Sequence, residues 1–95
     1  MDVITTTLKQ PYFAQIVART KRVEYREIKP YWTKRLKRVR VPFKLVLRNG
    51  MNPPVPVVTV RIDRIRTNKR TREYDLHIGR VLRVEHWDRQ KQRPR

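Results

Sequence analysis

Lys21, Glu24 and Arg26, followed by Tyr31 and Trp32, form the densest mixture of opposite charges and aromatic rings in a chain that is otherwise strongly basic. An ammonium, a carboxylate and a guanidinium this close together offer two kinds of chemistry. As a binding set, Glu24 accepts from an exocyclic amine, and Arg26 donates to a base edge or a phosphate. As a catalytic set, Lys21 stripped of water in a cleft acts as base or nucleophile while Glu24 moves the proton. The adjacent carboxylate favours the charged lysine and so opposes that activation. Left in solvent, the three would amount to a weak ion pair on a strand face.

Tyr31 and Trp32 can stack on unpaired bases, the usual mode of sequence-sensitive RNA recognition, although large aromatics more often bury as packing. Lys34, Arg35, Lys37, Arg38 and Arg40 crowd into one short run and can hold phosphates. Other catalytic constellations are missing. No serine–histidine–aspartate spacing occurs, and His86 beside Trp87 reads as a surface or packing residue. With no cysteine and only two histidines, His77 and His86, neither a thiolate site nor a histidine-rich metal centre is available, and no cofactor is expected.

Charge points the same way as the cluster. The chain carries 25 Lys plus Arg against 8 Asp plus Glu, a net +17. Ten of those net charges fall in residues 19–48, where twelve bases face two acids, whereas residues 1–18 are neutral. A field of this size raises the encounter rate with polyanions, of which nucleic acid is the commonest. No apolar run approaches the length of a membrane span. Met1-Asp2-Val3-Ile4-Thr5 lacks the basic start and apolar stretch of a signal peptide, so the expectation is a cytoplasmic protein with no membrane partner.

The elements that must position these residues are mostly strands. Val3 to Leu8 reads as a first strand, and Pro11 suits the first turn of a helix over about 11–18, with Tyr12, Phe13, Ile16 and Val17 on one stripe. Arg19 and Lys21 follow the helix end, where cations complement its dipole. Val23-Glu24-Tyr25-Arg26 is a second strand, on which Glu24 and Arg26 share one face and Val23 and Tyr25 the other. Pro30 is read as the end of that strand. Residues 34–40, with five bases and no amphipathic period, are read as a loop or edge segment. Phe43, Leu45 and Leu47 alternate in a third strand closed by Asn49-Gly50. Val58, Val60 and Ile62 alternate in a fourth, whose phase slips at Ile65 and predicts a bulge near Asp63-Arg64. Leu76, Ile78, Leu82 and Val84 lie in a last strand or strand pair kinked at Gly79. Residues 89–95 hold nothing apolar to bury and are expected to be a flexible basic tail. This gives one domain over residues 1–88, in the α+β class and mostly β, with the spacing of a small barrel.

The run Leu8-Lys9-Gln10-Pro11-Tyr12-Phe13, then Lys21, Glu24 and Arg26, then Tyr31-Trp32, resembles an ASCH domain of the PUA-like superfamily. The signature of that family is Gly-x-Lys-x-x-Glu-x-Arg after the first helix. Lys21, Glu24 and Arg26 match it, and Arg19 stands where the glycine would be; in a left-handed conformation an arginine there would carry a steric cost. Gly79-Arg80-Val81-Leu82-Arg83-Val84-Glu85 is similar to the closing strands of such domains, so the resemblance covers nearly the whole chain. It implies a small stand-alone PUA-like β-barrel with one short helix between the first two strands and a cleft lined by Lys21, Glu24 and Arg26. It also implies RNA as the preferred partner. As an alternative, it implies a small hydrolase acting on acetylated cytidine or another modified nucleoside, or on RNA, with Lys21 and Glu24 as the catalytic pair. Glu24 stands where the amidohydrolase site resembles a threonine position, and that site's final glutamate has no counterpart here. The nucleic-acid-binding reading is the one adopted.

Overall fold

The computed structural model describes residues 1–95. Two strand-forming alternations build its centre. In β3 (Phe43–Arg48), Phe43, Leu45 and Leu47 point inward and Lys44 and Arg48 outward; in the first half of β4 (Val57–Asn68), Val58, Val60 and Ile62 point inward. Period-two alternation with one apolar face suits a sheet covered on one side only. The two strands pair antiparallel, Leu45 opposite Val60. β5 (Glu73–Glu85) continues the sheet antiparallel to β4. β1 (Val3–Thr7) joins β3 in parallel, and β2 (Val23–Glu27) joins the first half of β5 antiparallel. The order across the sheet is therefore β1-β3-β4-β5-β2.

The sheet curls because the long β4–β5 ribbon is bulged. Its register shifts between Arg61 and Ile62 and again between Ile62 and Arg64, leaving Asp63 and Gly79 without direct partners. Bulges bend the strand and raise its twist. A Cβ on Gly79 would overlap the Asp63 carboxylate, so the glycine leaves room for that side chain. Beyond the bend, Ile65 pairs with Leu76 and Leu76 with Glu24, which carries β2 round toward β1. The result is a half-barrel, α+β and mostly β. The bulge lies where the apolar phase slipped, and β5 runs unbroken through Gly79.

Two helices fill the concave side. α1 (Gln10–Val17) connects β1 to β2, begins with a proline in its first turn and buries Phe13 and Ile16. Tyr12, expected on the same stripe, turns outward instead. α2 (Pro30–Lys37) connects β2 to β3 and buries Trp32 and Leu36. This corrects two expectations: there are two helices rather than one, and most of the basic 34–40 segment is helical rather than loop or edge. Pro30 does not stop a strand here; it starts a helix, where its missing N–H costs nothing. Trp32 and Leu36, one turn apart, supply an anchoring stripe that begins upstream of the basic run. Lys34, Arg35 and Lys37 then sit in the last turn, where cations complement the helix dipole.

Fourteen apolar side chains form one core. Trp87 closes it from the carboxy-terminal side, its ring 4.9 Å from that of Phe13. The chain then turns back, β6 (Trp87–Asp88) pairing with β7 (Arg93–Pro94), and the Arg95 N–H donates to the His86 carbonyl at 3.1 Å. No helix is long and apolar enough to cross a membrane.

Candidate ligand cleft

The end of α1 sets the site. Arg19 adopts φ 64°, its N–H donates to the Ile16 carbonyl, and the Thr20 N–H reaches the Gln15 carbonyl. This pair of bonds is the Schellman closure of a helix, which calls for a left-handed residue at the position Arg19 fills. The turn delivers Lys21 to the start of β2. Its ammonium donates to the Val23 carbonyl at 2.7 Å and lies 3.4 Å from Glu24 Oε1. The rings of Tyr25 and Tyr12 flank it, with centroids at 4.8 and 5.5 Å.

β2 faces its charged side inward. Glu24, in register with Leu76, is only 4% exposed, whereas Tyr25 on the opposite face is half in solvent. Burying a carboxylate is costly unless it is paired and hydrogen-bonded. Arg26 meets that need: Nε and Nη2 both donate to Glu24 Oε2, at 2.9 and 2.5 Å. The cluster is thus not a solvated strand face.

The same guanidinium spans the open side of the half-barrel. Nη2 donates to the Thr7 carbonyl at 2.9 Å, and Nη1 lies 3.5 Å from Thr6 Oγ1. Trp32 lies against Arg26, its ring centroid 5.1 Å from the guanidinium carbon. α2 helps close the gap: Arg35 covers the Tyr31 ring at 4.5 Å and approaches the Thr5 carbonyl at 3.4 Å.

What remains between these elements is a cleft of about 840 Å³. Lys21, Glu24, Arg26, Tyr31 and Trp32 all line it, so five of the residues singled out in sequence converge there. Trp32 is 7% exposed and has Arg26 against its ring, which leaves it little face for a base. Tyr31 is largely exposed. Lys34, Lys37, Arg38 and Arg40 are exposed on or just beyond α2 and do not line the cleft. Arg35 is half-buried and reaches it only through Tyr31.

Sequence reasoning missed Tyr12, Tyr25, Lys9, Lys29 and Asn49 as lining residues. The sequence pattern puts Tyr12 and Tyr25 on buried faces, and both rings instead stand about half in solvent. Asn49, taken as a turn residue, donates Nδ2 to the Leu8 carbonyl at 2.9 Å and so fixes the cleft wall. At the mouth, Glu27 stands directly opposite Glu73. Lys29 lies 2.8 Å from Glu27, and the hydrogen bond to that carboxylate holds its ammonium above the ordinary lysine value.

Chemically, the cleft offers a fixed cation pair over a buried carboxylate, ringed by tyrosines. Lys21 donates to the Val23 carbonyl and faces a carboxylate and two rings. No protein-family model matches the chain, and no curated protein or solved structure matches it at a significant level.

Proposed function

We propose that this chain is an ASCH-like, PUA-like RNA-binding domain that holds an unpaired nucleotide in the cleft. The observation that carries the reading is the burial of Glu24 between Lys21 and Arg26 at the floor of an open cleft. A carboxylate kept there at a desolvation cost provides an acceptor for an exocyclic amine, and the paired cations set its direction. Tyr12, Tyr25 and Tyr31 provide ring faces at the rim, where a splayed base can stack. Lys34, Lys37, Arg38 and Arg40 add phosphate contacts outside the cleft. The left-handed Arg19 supports the family likeness, because the signature has glycine where this backbone demands it.

Titration of single-stranded RNAs of differing base content, repeated across salt concentrations, tests the reading. Glu24→Gln is expected to change which RNA is preferred while leaving the salt slope unchanged. Lys37→Ala is expected to weaken all sequences alike and lower the slope by about one unit. Because Glu24→Gln also removes a negative charge, purely electrostatic binding would instead tighten without any change in preference. That outcome would remove the cleft from the binding account.

A further inference from the structure

The convex face of the sheet carries cations that the cleft does not use. Lys44 of β3 stands directly opposite Arg61 of β4, and Arg61 directly opposite Arg80 of β5. Lys44 and Arg61 point away from the core, since their neighbours Phe43, Leu45, Val60 and Ile62 are fully buried on the other face, and Arg80, in register with Arg61, is exposed. Like charges directly opposite one another in a sheet are destabilising. Only Arg61 has an acidic partner: its Nε and Nη2 donate to the two Asp63 oxygens at 2.6 and 3.1 Å. Lys44 and Arg80 form no ion pair, and both are exposed. Arg48 and Arg83 widen the patch on the same face, Arg83 with Glu85 at 3.3 Å.

We infer that the Lys44–Arg61–Arg80 row is a second nucleic-acid surface, one that binds the phosphodiester backbone without regard to base. Three cations in line across three strands span about 10 Å, the width of two strand spacings. The outward positions of these strand segments hold no aromatic ring, so this face has nothing to stack on a base. The cleft has the reverse equipment, with tyrosines and a buried carboxylate. The two faces divide the work, a paired or flanking stretch lying on the sheet and an unpaired nucleotide entering the cleft. Arg48 links them, since it is in register with Thr7 at the cleft edge. This inference adds to the cleft reading and can fail without it.

The test uses Lys44→Gln/Arg80→Gln, which leaves the Arg61–Asp63 pair in place. A blunt RNA duplex, a trinucleotide too short to reach both faces, and vesicles containing phosphatidylglycerol are titrated against both proteins. For the duplex, the variant is expected to lower the salt slope by about 1.8, for two lost phosphate contacts, and to weaken binding at least about tenfold at low salt. Trinucleotide affinity is expected to stay within about twofold. Because the row is self-repelling, the unliganded variant is expected to melt no lower than the parent, which separates lost binding from lost folding. An unchanged duplex slope, an equal loss for duplex and trinucleotide, or a loss confined to the vesicles would each overturn the proposal. If the trinucleotide fails to bind either protein while the duplex effect persists, the cleft reading falls and this one stands.

Discussion

Arg26 on β2 donates to the carbonyl of Thr7 on β1, joining the two edge strands of the sheet at 2.9 Å where no backbone ladder connects them. The same guanidinium neutralises Glu24. One side chain therefore closes the half-barrel and builds the cleft floor, so fold stability and site chemistry are coupled through it.

That coupling predicts a specific pattern in a double-mutant cycle. Glu24→Leu leaves two cations without their buried partner and is expected to cost about 3 kcal/mol, or roughly 12–24 °C in melting temperature for a domain of this size. Arg26→Met strands the carboxylate and is expected to cost as much. Glu24→Leu/Arg26→Met, with both charges gone, is expected to cost less than the sum of the single losses by at least about 1 kcal/mol. Additive losses measured by denaturant unfolding would mean that the pair does not act as a unit.

Arg19 gives a prediction of opposite sign. A non-glycine residue at φ 64° is strained by about 1 kcal/mol, and glycine is not. Arg19→Gly is expected to raise stability by about that amount, seen as a melting temperature about 4–8 °C higher, with the cleft unchanged. A lower melting temperature would show that the arginine side chain stabilises the turn by more than its backbone strain.

At the bulge, Gly79→Ala is expected to destabilise by about 1–3 kcal/mol through its clash with the Asp63 carboxylate, and Asp63→Ala in the same chain is expected to relieve most of that loss. Asp63 also gives a pH signature. The hydrogen bond from Arg61 holds its carboxyl below the usual range. A depressed folded value means that the pair's contribution is present above the ordinary aspartate pKa and is lost as pH falls through the lowered one. The pair is solvent-screened, so the effect is small. Melting curves between about pH 2 and 5 are expected to show a shallower acid limb for Asp63→Asn than for the parent. Parallel limbs would contradict this.

Much of the frame was legible because its residues alternate cleanly: Phe43, Leu45 and Leu47 face Val58, Val60 and Ile62, and the slip at Ile65 located the bend. α2 was not, because its stripe is only Trp32 and Leu36 and its second half runs into the basic 34–40 segment, and Pro30 serves equally as a stop and as a start. The cleft triad was legible as a set of neighbours, but its inward direction was not. Val23 and Tyr25 look like the buried face of β2, and only the curl of β5 turns Glu24 inward against Leu76. Lys34, Lys37, Arg38 and Arg40 read as one site with the triad because they follow it in sequence, yet the helix carries them away from it.

The central claim is that an unpaired nucleotide enters the cleft above Glu24. Mapping amide NMR shifts while adding a trinucleotide, which is too short to reach the convex sheet as well, tests it most directly. The account predicts perturbations concentrated at Thr7–Tyr12, Lys21–Glu27, Asn49 and Glu73, and their loss in Glu24→Gln for the preferred sequence. Shifts confined to Lys34–Arg40 or to Lys44, Arg61 and Arg80, with the cleft silent, would contradict it.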